Sequence, residues 1–369
     1  MSFHTRLLKS LNEKPIGNGA YGDVYRLIDS EPEAVIKVLK KLPKGWVETL
    51  KEECDALKSL RHTNVVQYFG FIEESINGEQ IRGILMEYCA GGSLDKWVFD
   101  AAKTYTMHTV VAWGEGLLNA LVHMQEKNRI HRDIKTSNTL LTEDFTIKIG
   151  DFGLAMESSE TFFGEFAGTR RFMAPEALFA AEKGCEFSIK GDLYAVGLVL
   201  WEIIERRKVF SDKCDTVNSY KMALDKMIKE LECPEKIKDV LKSILVFESV
   251  NRLPAKDALD RFEAWREKYR TSGRFEFPPS SRNDQKQLIR PIGFNDTKEE
   301  SPVDSDDNTL PDPKFEQKLT HLQWCVLISI NSNENSVMHL SNRFSICVHD
   351  WHLAIEQKHP IEWPPLLPW

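Results

Sequence analysis

The chain has 369 residues, 42% hydrophobic and 28% charged, with a net charge of −8. That composition suits a soluble globular protein of one or two domains, and the acidic balance argues against nucleic-acid binding as the default. Seven cysteines, scattered without Cys-x-x-Cys spacing, give no disulfide framework or zinc site and point to a reducing compartment, so a cytoplasmic location is expected.

The first residues, Met1-Ser-Phe-His-Thr-Arg-Leu-Leu-Lys9, are too broken for a signal peptide, and Ser2 excludes an N-myristoylation signal. Next, Ile16-Gly17-Asn18-Gly19-Ala20-Tyr21-Gly22-Asp23-Val24-Tyr25 carries G-x-G-x-x-G. A dinucleotide site needs a helix directly after such glycines, whereas Val24–Ile28 alternates like a strand. The glycines therefore form the bend of a hairpin, where backbone amides can approach phosphate closely. A second strand, Glu33–Leu39, carries Lys37 among apolar residues. A lysine there is costly to bury unless it meets an anion.

The run 46–60 has helical apolar spacing at Val47, Leu50, Cys54, Leu57 and Leu60, with Glu52 and Glu53 as candidate carboxylates. An apolar strand ending at Met86 leads into Glu87-Tyr88-Cys89-Ala90-Gly91-Gly92-Ser93-Leu94, where Ser93 is a candidate helix cap.

The most informative stretch is Ile130-His131-Arg132-Asp133-Ile134-Lys135-Thr136-Ser137-Asn138, followed eighteen positions after Asp133 by Asp151-Phe152-Gly153. Between them, Thr139–Leu141 and Phe145–Ile149 read as two strands around the turn Thr142-Glu143-Asp144. A hairpin of that length can gather Asp133, Asn138 and Asp151 at one site. Oxygen ligands of this kind suit a hard divalent cation that also holds phosphate. The apolar run 193–204 is interrupted by Glu202 and is too short to span a membrane, so it reads as a buried helix.

These strings resemble the catalytic and metal-binding loops of the protein kinase family. The resemblance covers about residues 10–270. It implies an α+β, two-lobed fold, with a strand-rich N-lobe at 10–89 and a mainly helical C-lobe at 90–270, and ATP between them. By that resemblance Asp133 orients the substrate hydroxyl and accepts its proton, Lys135 stabilises the transferring phosphate, and Asn138 and Asp151 hold Mg²⁺. Ile16, Gly17, Gly19, Gly22, Val24 and Leu140 would surround ATP. Lys37 would contact its phosphates and pair with Glu53, while Glu52 stays solvated. Met86 would back the adenine pocket, with the backbone of Glu87 and Cys89 bonding the base. One departure is Val35, where the family usually has Ala. Its extra methyl groups are expected to crowd the adenine ring.

Residues from Asp151 to Ala174-Pro175-Glu176 resemble an activation segment. Thr161 and Thr169 are its candidate phosphosites, Ser158 and Ser159 are further hydroxyls, and Arg132 is a candidate phosphate partner. Lys135 favours a serine/threonine enzyme. Glu176 and Arg252 match the family's buried ion pair, and Asp192 the acid that holds the catalytic loop. Glu87–Leu94 and Phe187–Phe210 look like the kinases that phosphorylate mitogen-activated protein kinase kinases, most similar to the transforming-growth-factor-β-activated kinase. Thr136-Ser137 departs from that relative. The partners implied are a protein substrate, such as a mitogen-activated protein kinase kinase, and an activating accessory protein. A scaffold without catalysis is the alternative. It would not need Lys37, Glu53, Asp133, Asn138 and Asp151 together.

Composition changes after Gly273. Residues 273–314 read as an acidic disordered linker, and 315–369 as an apolar tail ending in Ile361-Glu-Trp-Pro-Pro-Leu-Leu-Pro-Trp369. His349 and His352 have no accompanying ligand set, so they make no metal site.

Overall fold

The structure is a computed structural model, and it describes residues 2–18, 22–40, 54, 57–58, 60–76, 78–152, 156–157, 168–179, 187–210, 215–268, 277–278 and 288–293. The chain divides into two units, 1–298 and 299–369, and every described residue belongs to the first.

The N-terminal part of that unit is a five-stranded antiparallel sheet in the order β1 (Gly17–Asn18), β2 (Gly22–Leu27), β3 (Ala34–Leu39), β5 (Glu79–Glu87) and β4 (Tyr68–Ile76). β1 pairs with β2 through Gly17 opposite Val24, so the glycine run does bend a hairpin. Gly22 is required by a close approach, because a Cβ there would sit 2.4 Å from the Val38 carbonyl oxygen. β3 is buried on both faces. Val35 packs into the main core with Cys54, Leu57 and Met86, whereas Ile36 packs with Leu7 and Ile76 on the other face.

Leu7 belongs to helix α1 (Phe3–Leu11), which the sequence reading did not anticipate. Phe3, Leu7, Leu8 and Leu11 form one apolar stripe broken by His4, Arg6 and Lys9, the pattern of a helix that covers a sheet. The Ser2 hydroxyl caps the helix by accepting from the Thr5 amide. At its far end the Ser10 hydroxyl accepts from the Ile28 amide at 2.9 Å, tying the helix to the end of β2. Of the predicted helix 46–60, Cys54 and Leu57 are helical and buried. Glu53 lies outside the described residues.

β6 (Gly92–Ser93) leads into α2 (Asp95–Val98) and the long helix α3 (Met107–Glu126). Ser93 does not cap α2. It pairs in a strand with Leu140, and Leu94 occupies the cap position without a side-chain bond. After β7 (Arg129–Ile130), β8 (Thr139–Leu141) and β9 (Ile147–Ile149) form the predicted hairpin, with Leu140 opposite Lys148. β10 (Met156–Glu157) pairs with β7. The helical lobe is completed by α4 (Pro175–Leu178), α5 (Ile189–Glu205), α6 (Val217–Lys229), α7 (Glu235–Ile244) and α8 (Ala255–Lys268). α5 contains the apolar run and is buried continuously from Asp192 to Glu205. It packs against α3 and α7, and α3 packs against α8. A helix apolar all round belongs in such a centre. Among the described residues no helix is long and apolar enough to cross a membrane.

Within the stretch read as a linker, residues 277–278 and 288–293 are seated on the helical lobe. Phe277 packs against the main core, and Ile292 forms a bridge with Thr106. The tail 315–369 lies outside the described residues.

Candidate active site

The loop between β7 and β8 is held from below by α5. The buried Asp192 carboxylate accepts from the backbone amides of His131 at 2.6 Å and Arg132 at 2.9 Å. These bonds fix Arg132 at a φ of 67°, a left-handed conformation uncommon for a non-glycine residue. Burial raises the Asp192 carboxyl above the usual range, against the lowering influence of His131 and Arg132. The His131 ring is fully buried. Its Nδ1 accepts from the Asp133 amide at 3.3 Å and its Nε2 faces the Gly150 carbonyl at 2.9 Å, so the donor proton belongs on Nε2. One ring thus links Asp133 to the residue before Asp151.

At Asp133, three donors converge on one side chain. Oδ2 accepts from Lys135 Nζ at 2.7 Å and from Asn138 Nδ2 at 2.9 Å, and Oδ1 accepts from the Thr169 amide at 2.8 Å. Lys135 Nζ also donates to the Thr169 hydroxyl at 2.7 Å. Asn138 Nδ2 donates a second bond to the Asp133 carbonyl at 2.9 Å, which commits the amide nitrogen inward and leaves the amide oxygen as the ligand atom.

Across the cleft, Lys37 on β3 meets Asp151 Oδ1 at 2.6 Å. Asp151 also adopts a left-handed backbone, with φ 57°. Burial pushes its carboxyl up, but Lys37, His131 and Lys135 together outweigh that, and the net shift is downward. The group is therefore an anion at neutral pH. The site's oxygens come from a carboxylate and an amide rather than from a cluster of His, Cys and acids. Among the described residues no such cluster of three exists. An Asp with an Asn fits a hard cation that keeps water and phosphate oxygens in its shell.

The wall that the kinase resemblance assigns to adenine is formed by β3, β5 and β8. Val35 lies opposite Met86 in the β3–β5 register, and both are buried. Val24 and Leu140 pack against the same core, and Ile16 is about half exposed at the mouth, with its amide on the Val24 carbonyl at 2.8 Å. Gly19 lies outside the described residues. The Glu87 amide donates to the Gln67 carbonyl at 2.8 Å, and the Cys89 carbonyl accepts from the Gly92 amide at 3.0 Å. Burial pushes the Cys89 thiol up to about 12, so it is not a nucleophile.

On the substrate side, Arg252 makes a paired contact with Glu176, both bonds 2.6 Å, and also donates to the carbonyls of Val246, Lys190 and Phe247. This pair anchors the start of α4. The Arg132 guanidinium lies 5.5 Å from the Phe187 ring centroid. Thr169 is among the described residues, whereas Thr161, Ser158 and Ser159 are not.

Three contributors were not read from sequence. His131 sits inside the quoted motif, but its two ring bonds need the fold. The Glu87 side chain turns away from the cleft to pair with buried Lys148 at 3.1 Å and to accept from the Gln67 amide at 3.0 Å. A lysine between two isoleucines in β9 was the available signal. Buried Glu202 accepts from the Thr136 hydroxyl at 2.9 Å and the Val209 amide at 3.0 Å, bracing the catalytic loop against α5. The charge interrupting the apolar run marked it.

Comparison with known proteins agrees with this geometry. A family model described as protein kinase domain matches residues 11–262. The chain is 33% identical over 231 residues to mitogen-activated protein kinase kinase kinase kinase 3 of Rattus norvegicus, covering 62% of this chain and 25% of that protein. It is 30% identical over 266 residues to a putative mitogen-activated protein kinase kinase kinase 7-like protein of Drosophila melanogaster, covering 68% and 65%. It is also 34% identical over 203 residues to cysteine-rich receptor-like protein kinase 7 of Arabidopsis thaliana, covering 52% and 30%. The matched regions thus span less than two thirds of each relative's length. With the two-lobed α+β architecture and the Asp133–Asn138–Asp151 constellation in place, the chain belongs to the protein kinase family.

Proposed function

We propose that this protein transfers the γ-phosphate of ATP to serine or threonine hydroxyls of protein substrates. The observation that carries this reading is the Asp133 carboxylate, held by Lys135, Asn138 and the Thr169 amide, together with the Lys37–Asp151 pair.

In that reading Asp133 Oδ1 and Oδ2 orient the substrate hydroxyl and take its proton as the phosphoryl group leaves. Lys135 then sits one bond from both Asp133 and the Thr169 hydroxyl, where its charge offsets that of the phosphoryl oxygens. Lys37 grips the nucleotide phosphates, and Asp151 and the Asn138 amide oxygen are the cation ligands. Mg²⁺ would supply charge neutralisation between the phosphates. Lys135 at this position, rather than an Ala/Arg arrangement, supports Ser/Thr over Tyr.

Among the relatives named in the mitogen-activated cascade, the Drosophila melanogaster protein carries a kinase-kinase-kinase name, which supports that level here; the substrate would then be a mitogen-activated protein kinase kinase and the activator an accessory protein. The acidic balance and the seven cysteines scattered without Cys-x-x-Cys spacing support a cytoplasmic setting. A non-catalytic scaffold would not require Asp133, Lys135, Asn138 and Asp151 in one arrangement. The test is phosphate transfer from Mg-ATP to a catalytically dead mitogen-activated protein kinase kinase, run beside Asp151→Asn. Phosphoserine or phosphothreonine that vanishes in the variant supports the reading, and equal signal from both proteins refutes it.

A further inference from the structure

Residues 277–278 and 288–293 lie beyond the matched kinase domain, yet they are fastened to it at both ends of one stretch. The Phe277 ring stands 4.4 Å from Phe145, 5.4 Å from Trp97 and 6.2 Å from Trp113, centroid to centroid. The Pro278 carbonyl accepts from the Thr104 hydroxyl at 2.6 Å. Farther on, the Ile292 amide donates to the Tyr105 carbonyl and the Met107 amide donates to the Ile292 carbonyl, both at 3.0 Å. Arg290 reaches buried Glu205 at 2.8 Å and also pairs with Glu232.

Arg206 joins this segment to the stretch it covers. It ends α5 in a left-handed conformation with φ 53° and is 1% exposed. Its guanidinium donates to five carbonyls: Val98 and Lys103 at 2.8 Å, Asp100 at 2.7 Å, Trp97 at 3.3 Å and Ile289 at 3.0 Å. A buried cation is tolerated only when its donors are satisfied. Four of the acceptors belong to residues 97–103, and the fifth belongs to the distal segment. The stretch that Arg206 gathers also faces the catalytic loop. Asp95, Lys96, Phe99 and Asp100 line a cavity of about 630 Å³ together with Lys135 and Thr169.

We propose that residues 277–278 and 288–293 act as the two anchors of a strap in cis that holds α2 and the chain to Lys103 in place, with Arg206 as the positioning residue. One wall of the cavity beside Asp133 is then set by chain outside the kinase domain proper. The inference rests on reading that cavity as the groove for the protein substrate. Release of the strap weakens capture of the protein substrate and leaves nucleotide handling intact, because Lys37 and Asp151 make none of these contacts.

The test uses the full chain carrying Phe277→Ala with Arg290→Ala, and Arg290→Ala alone in case the double variant does not fold. Dephosphorylated casein is the protein probe, and amide hydrogen exchange is followed at 95–107. The expected result is loss of protection at Met107 and across 97–103, a rise of about fivefold or more in KM for casein, and a KM for ATP within about twofold of wild type. Phe277→Tyr with Arg290→Lys is expected to restore wild-type values. Loss of Met107 protection with an unchanged KM for casein overturns the proposal, since the strap would then be stabilising only. Retained Met107 protection in the variants also overturns it, because these anchors would not be what holds the segment. If wild type transfers no phosphate to casein, the kinase reading fails, and exchange at 97–103 still decides whether the strap holds that stretch.

Discussion

The backbone amide of Thr169 donates to Asp133 Oδ1 at 2.8 Å, while the Thr169 hydroxyl accepts from the lysine that also holds Asp133 Oδ2. Thr169 is thereby tied to the Asp133 carboxylate, the proposed proton acceptor, through both main chain and side chain. Thr169→Ala keeps the amide bond and removes the hydroxyl. A fall of about tenfold in kcat is expected, with KM for ATP little changed and activity recovered in Thr169→Ser. Steady-state kinetics of the three proteins check this.

The residue before it makes a sharper prediction. Gly168 has φ +108°, and a Cβ there would lie 2.5 Å from the Arg132 carbonyl oxygen. Gly168→Ala is strained in both backbone and space, at a cost of about 1–3 kcal/mol. The strain falls on the bond between Thr169 and Asp133, so kcat is expected to drop more than thermal stability. Loss of stability with full activity would contradict this.

Arg252 is fully enclosed and meets Glu176 through two bonds of 2.6 Å. Glu176→Gln leaves the buried Arg252 charge without its partner, at a cost of about 3–5 kcal/mol, whereas Arg252→Met leaves the partly exposed Glu176 unpaired at a smaller cost. Denaturant unfolding of each single variant and of the double variant checks this. The double variant is expected to be less damaged than the sum of the singles.

The rings of His62 and His123 stack with centroids 4.9 Å apart. Burial lowers both pKa values from 6.5. For His62 the neighbouring His123 and Lys148 add to the effect, for His123 Lys127 does, and Glu126 opposes it in both. Groups with depressed folded values bind fewer protons in the folded state than in the unfolded one. Their stabilisation is present above pH 6.5 and is lost as pH falls through the lowered folded values. Thermal unfolding from pH 7.5 to 5.5 is expected to show a falling Tm that is flatter in His62→Phe. A parallel slope in the variant would contradict the assignment.

Val35 packs opposite Met86 on the wall of the proposed nucleotide cleft. Removing its two extra methyl groups is expected to tighten Mg-ADP binding, at some cost in core packing. Calorimetric titration of Val35→Ala checks this, and unchanged or weaker binding would count against crowding by Val35.

Much of this site was legible because its chemistry is local. The β8–β9 hairpin brings Asn138 near Asp151 over a short length of chain, and strand alternation distinguishes the glycine hairpin from a dinucleotide turn. Lys37 was legible as a costly charge in an apolar strand. What stayed hidden depends on distant partners. Arg206 opens the run Arg206-Arg207-Lys208 in sequence, and only the meeting of 97–103 with Ile289 makes it a buried bridge. Phe277 lies in a proline- and serine-rich stretch whose composition suggests disorder, and its aromatic neighbours come from α2, α3 and the β8–β9 turn. Helix α1 is nine residues long and its apolar stripe is broken by Arg6 and Lys9, so its periodicity is weak in sequence and becomes plain only against the sheet it covers.

The most direct test separates nucleotide binding from transfer. Wild type and Asp133→Asn are titrated with Mg-ATP and then assayed for γ-phosphate transfer to a protein serine or threonine. The account predicts nucleotide affinities within about threefold of each other and a loss of transfer of at least about a hundredfold in the variant. Undiminished transfer by Asp133→Asn, or no nucleotide binding by wild type, would contradict it.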